Sequence, residues 1–124
     1  MDIRKLQKAV LTALEDIKAR DIEVYDVKHL TSLFDRVVIA SADSARQARS
    51  LARNVHDKVR EIGVRVYGME GGDSGEWVLV DLGDVVVHIM LPAVRAYYNL
   101  EELWNQPKPR APRKRTTRAA AKSR

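Results

Sequence analysis

Trp77-Val78-Leu79-Val80-Asp81-Leu82-Gly83-Asp84-Val85-Val86-Val87-His88-Ile89-Met90-Leu91 is two β-rich runs around a Gly-Asp pair. That pair is a two-residue hairpin signal. With the turn placed there, Leu82 sits beside Val85, Val80 faces Val87 and Val78 faces Ile89. These six side chains form one aliphatic face, suited to lie beneath helices. The opposite face receives the pairs Trp77/Met90, Leu79/His88 and Asp81/Val86. Strand side chains alternate, so a one-residue slip would exchange the two faces. The turn therefore decides which residues are core and which form a second, mixed surface.

The rest of the chain supplies elements to cover that floor. Ahead of the hairpin, Glu70-Gly71-Gly72-Asp73-Ser74-Gly75 is a polar turn region, and Val64–Tyr67 reads as a third strand. Ser44-Ala45-Arg46-Gln47 is a capping-box pattern that starts a helix ending at Gly63, with Ala45, Ala48, Leu51, Ala52, Val55 and Val59 as its apolar stripe. Phe34–Ala40 is an aliphatic run fit for an interior strand, and Ile22–Val27 a shorter strand before it. Residues 2–19 show Ile3, Leu6, Val10, Leu14 and Ile17 at helical spacing, with Asp2 as N-cap. Beyond the hairpin, Pro92 opens a short helix through Val94 and Tyr97, and Leu100–Trp104 closes the body. Helices and strands mix without a βαβ repeat, which predicts an α+β domain: a mixed sheet of about five strands packed by helices.

Composition divides the chain at residue 104. The 124 residues, 45% of them hydrophobic, support one small core. Without cysteine there is no disulfide, thiolate metal site or cysteine nucleophile. The net charge of +5 hides a split, because residues 105–124 hold eight of the 22 basic residues and no acidic ones. Residues 1–104 therefore carry 14 basic against 17 acidic side chains. The first 104 residues read as the folded domain, and 105–124 as a disordered basic tail rich in Pro, Arg, Lys and Ala. No stretch is long and apolar enough to span a bilayer, and the N-terminus lacks the apolar run of a secretory signal.

Four features invite a functional reading. The face carrying Trp77, Leu79, Asp81, His88 and Met90 has an aromatic anchor, a soft thioether and a few polar atoms, as protein-binding centres do. Cover by the segment Tyr97–Trp104, or by a second copy of the chain, explains the same face. Asp81, Asp84 and His88 raise a metal-dependent enzyme as an alternative, although a turn aspartate such as Asp84 needs no catalytic explanation. Ser41–Ser44 leads from a strand into a helix N-terminus, but without glycines or a lysine it lacks a phosphate-loop pattern. Arg46, Arg49 and Arg53 lie on the exposed side of the second helix, and Arg113, Lys114 and Arg115 in the tail. Both sets suit RNA phosphates, and an RNA-binding adaptor is the second alternative.

Three segments taken together carry a resemblance: LFDRVVIASADSARQARSLA, MEGGDSGEWVLVDLGDVVVHIM and AVRAYYNLEELW. They resemble the ribosomal silencing factor family, the Iojap-like proteins. Glu70-Gly71, Trp77, Asp81-x-Gly83-Asp84, Val87-His88 and Tyr98-x-Leu100-Glu101-x-Leu103-Trp104 fall where that family has them. Leu82 and Met90 depart from it, standing where tyrosine and phenylalanine are common. The resemblance implies a non-enzymatic cytoplasmic or organellar protein with no cofactor. It implies binding to the large ribosomal subunit through that subunit's fourteenth protein, blocking the small subunit and lowering translation. It also implies a fold similar to nucleotidyltransferases, without their catalytic residues, and a homodimer when free. On this reading Trp77, Leu79, Asp81, His88, Met90 and Tyr98 meet the partner. The tail lies outside the family's common core, and its expected contact with ribosomal RNA rests on its charge alone.

Overall fold

The hairpin forms in the register its turn dictates. In the computed structural model, which describes residues 2–104, Trp77 pairs with Met90, Val78 with Ile89, Leu79 with His88, Val80 with Val87 and Asp81 with Val86. Gly83 makes the turn in left-handed backbone (φ 86°), where a side chain would be strained. Asp81 Oδ1 accepts from its amide at 2.9 Å.

In chain order the elements are α1 (Ile3–Asp16), β1 (Arg20–Asp26), β2 (Arg36–Ser41), α2 (Ala45–Glu61), β3 (Gly68–Glu70), β4 (Trp77–Asp81), β5 (Val85–Met90), α3 (Pro92–Tyr98) and α4 (Leu100–Trp104). They build a five-stranded sheet in the order β1-β2-β5-β4-β3. Neighbours are antiparallel except β2 and β5, which run parallel because α2, β3 and β4 return the chain between them. No helix among the described residues is long and apolar enough to cross a membrane.

α1 and α2 cover one face of the sheet. Val78, Val80, Leu82, Val85, Val87 and Ile89 lie in one core with Leu6, Val10 and Leu14 of α1 and Leu51, Val55 and Val59 of α2. Each fully buried aliphatic side chain of this kind is worth about 1.5–3 kcal/mol over exposure. Side-chain amides pin the two helices together: Gln47 Nε2 donates to the carbonyls of Ile17 and Lys18, and Asn54 Nδ2 to that of Ala13. Ser44 caps α2, its Oγ accepting from the Gln47 amide at 3.0 Å.

β1 and β2 are shifted by one or two residues from the expected bounds, and two further elements differ more. α1 stops at Asp16 instead of running to 19, since Lys18 is left-handed (φ 66°) and turns the chain into β1. The third strand is Gly68–Glu70 and not Val64–Tyr67. Val64 and Val66 still pack on the core, so the apolar pattern reports their burial. Ladder pairing with β4 begins only where Gly68 meets Asp81.

A candidate protein-docking surface on the sheet

The face of the sheet away from α1 and α2 is covered over only part of its width. Val27, Val37, Ile39 and Met90 form a second core there, closed by Tyr25, Phe34, Trp77, Val94, Leu100 and Trp104. Phe34 and Trp104 meet edge to face with ring centroids 5.7 Å apart. The β4–β5 end carries no such lid. Beside it lies an open apolar groove of about 520 Å³ lined by Leu33, Phe34, Tyr67, Leu79, Asp81, Gly83, Val86 and His88.

Arg95 holds the α3–α4 lid in place. Its side chain is 9% exposed. Nη1 donates to the Asp21 carbonyl at 2.7 Å and to Ser41 Oγ at 2.8 Å. Nε donates to Glu101 Oε2, completing an ion pair between α3 and α4. Asn99, left-handed at φ 49°, supplies the sharp bend between the two helices.

Trp77 sits at the boundary between lid and groove. Its Nε1–H donates to His88 Nδ1 at 3.0 Å, across the β4–β5 pair. Tyr98 of α3 lies against the indole with centroids 4.9 Å apart and planes inclined by 50°, and Tyr97 packs edge to face on Tyr98 at 5.0 Å. The result is a continuous aromatic row, His88–Trp77–Tyr98–Tyr97, braced at one end by the sheet. Its outer members are exposed, Tyr97 by 81% and Tyr98 by 53%. Leu33 (79%) and Tyr67 (59%) stand on the groove rim.

Burial lowers the His88 pKa from the ordinary 6.5 to about 4, so the ring is neutral at physiological pH. Accepting from Trp77 at Nδ1 then requires the Nε2–H tautomer, which leaves one donor on the far side of the ring. Asp81 is occupied by the turn amide. Among the described residues no group of three or more His, Asp or Glu side chains is placed to hold a metal ion.

Charge is shared unevenly among the elements. α1 and α2 carry eight Lys and Arg against four Asp and Glu. The remaining described residues carry six against 13. The aromatic surface is built on elements outside that basic helix pair, and their net negative charge favours a basic partner.

A family described as "Ribosomal silencing factor during starvation" matches residues 1–124. The chain belongs to the ribosomal silencing factor family. A ribosomal silencing factor from Chromobacterium violaceum is 55% identical over 109 residues, 88% of this chain and 89% of its own length. One from Bacillus subtilis is 40% identical over 104 residues, 84% of this chain and 88% of its own. A crystal structure of a Chromobacterium violaceum protein superposes with a TM-score of 0.83 at 55% identity, covering 89% of this chain and 92% of that one. The family is named for silencing ribosomes and not for a reaction.

Of the residues expected to meet a partner, the fold of this silencing factor brings Trp77, Leu79, Asp81, His88 and Tyr98 to one side of the sheet. Met90 needs correcting. It shares their face, but the lid leaves it 0% exposed, so it supports the surface from beneath and cannot touch a partner. Of the explanations offered for this face, cover by the segment Tyr97–Trp104 holds at its edge, while its centre is open. Val86 lies on this face as the hairpin register placed it. Sequence reading missed Leu33, Tyr67 and Tyr97, since nothing in a linear pattern marks a loop leucine or a helix tyrosine as adjoining a β-hairpin. Arg46, Arg49 and Arg53 are exposed on α2, across the sheet from Trp77. Arg113, Lys114 and Arg115 lie outside the described residues.

Proposed function

We propose that this protein acts in the cytoplasm by binding the large ribosomal subunit through that subunit's fourteenth protein, and keeps the small subunit from joining. The observation that carries this reading is the uncovered half of the sheet. Trp77 is fixed there by His88 on one side and Tyr98 on the other, beside an apolar groove that Asp81 lines. A large aromatic held rigid before binding loses little entropy on contact, the property of an interface anchor. Ribosomal proteins are as a class basic, so residues 1–104, with 14 basic against 17 acidic side chains, suit a protein of the subunit as the main partner. A body of this length has a radius of gyration of about 13 Å. Once anchored at a joining surface, that bulk blocks docking without any chemistry.

Sedimentation of purified subunits through sucrose gradients tests the proposal. The protein should travel with large subunits and, in excess, lower the fraction of joined particles. Trp77→Ala should keep a cooperative unfolding transition yet lose both effects. Normal joining in the presence of excess wild-type protein would refute the mechanism. In the same reading the free protein is a homodimer, since exposed apolar surface of this kind favours a second copy. A monomer by sedimentation velocity at micromolar concentration would remove that part.

A further inference from the structure

The outer side of α2 has no role in the docking surface, and its charges are placed against the interest of the isolated fold. Arg46, Arg49 and Arg53 follow one another at steps of three and four residues, which puts like charges side by side. Arg46 falls in the first turn of the helix, at the positive end of its dipole, where cations are least favoured. The first turn contains no acidic residue. Among the described residues Arg46 and Arg53 enter no ion pair or hydrogen bond, and Arg49 reaches only the Gly72 carbonyl at 3.4 Å. Other exposed arginines do find carboxylates, as Arg20 does with Asp43 at 2.9 Å. The three guanidinium groups stand in a row about 10 Å long on a rigid helix.

We infer that this row binds the phosphate backbone of RNA, as a second contact between the protein and the large subunit. The inference rests on the proposed attachment to that subunit, where RNA is the abundant polyanion. Unpaired guanidinium groups offer planar, always-charged donors suited to phosphate oxygens. The link from Arg49 to Gly72 brings the middle of the row to the loop that leads into Trp77. One body can then lay its aromatic side on a protein while its α2 ridge meets RNA at the margin.

The test compares the full-length protein with the triple variant R46Q/R49Q/R53Q in binding to purified large subunits over a range of salt. Each lost phosphate contact lowers the slope of log affinity against log salt by about 0.7–0.9. The triple variant should therefore show a slope shallower by about 2 to 3, with unfolding unchanged. Trp77→Ala should instead weaken binding at every salt concentration without changing the slope. Equal slopes for wild type and triple variant on large subunits would overturn the inference. A reduced slope on subunits without any reduction on a bare RNA hairpin would assign the row to an acidic protein, and so would also overturn it. If the wild type fails to bind subunits at all, the proposed function falls. The hairpin then decides the row by itself: a shallower slope for the triple variant upholds phosphate binding, and equal slopes refute it.

Discussion

Acidifying the protein should weaken its fold through His88, by an amount the structure sets. The ring is desolvated between β4, β5 and the indole of Trp77, and its pKa falls to about 4 against 6.5 when unfolded. Between those values the unfolded chain binds the extra proton and the folded chain refuses it. The contribution is complete above pH 6.5 and is lost as the pH drops toward 4. At about 1.4 kcal/mol for each tenfold change in proton affinity, the loss amounts to roughly 3 kcal/mol. Protonation would also set an N–H at Nδ1 against the Trp77 N–H, so hydrogen bonding acts in the same direction as burial. Urea unfolding at steps from about pH 7 to pH 4 should be run on wild type and on His88→Gln, whose side-chain carbonyl can still accept from Trp77. Other groups titrate alike in both proteins, and the difference between the curves isolates His88. The wild-type curve should fall more steeply in that window. Parallel curves would show that the ring is not held neutral by burial, and the argument for its tautomer would go with it.

Arg95→Met should cost about 3 kcal/mol, because it leaves the Glu101 carboxylate half-buried without its cation; an unchanged urea midpoint would count against the lid clamp. Gly71→Ala should be more harmful than Gly83→Ala, although both residues have left-handed backbone and share a cost of about 1–2 kcal/mol. A Cβ at Gly71 would fall 2.0 Å from the Trp77 carbonyl oxygen, which is backbone, whereas at Gly83 it would meet the Tyr67 ring at 2.9 Å, and that exposed ring can turn aside. Equal melting temperatures for the two variants would contradict this ranking. Ser44→Ala should destabilise by about 1 kcal/mol through loss of the α2 cap, read from thermal unfolding; no loss would mean that Gln47 and Asp43 hold the helix start unaided.

The β4–β5 hairpin was readable because its determinants are local. A Gly-Asp pair fixes the turn, and a period of two then assigns every side chain from Trp77 to Met90 to a face. The stripe and caps of α2 are local in the same sense, since an N-cap and a C-terminal glycine act within a turn of the helix. Val64–Tyr67 shows where this fails. Its apolar residues did signal burial, but the position of a strand depends on which neighbour supplies the ladder, and β4 offers one only from Gly68 onward.

What a partner can touch was decided by the tertiary structure alone. Met90 and Leu79 look equivalent along the chain, yet one is sealed under α3 and α4 while the other lines an open groove. Arg95 reads as an ordinary surface arginine, since Glu101 is six residues away and off its helical face. Only the bend at Asn99 brings the two together. The sorting of basic side chains onto α1 and α2 likewise emerges once those helices share one side of the sheet. The chain order of residues determines periodicities and turns, because those act over a few bonds. Exposure and ion pairing depend on segments far apart in sequence, and here they are set by how far a short C-terminal lid extends across the sheet.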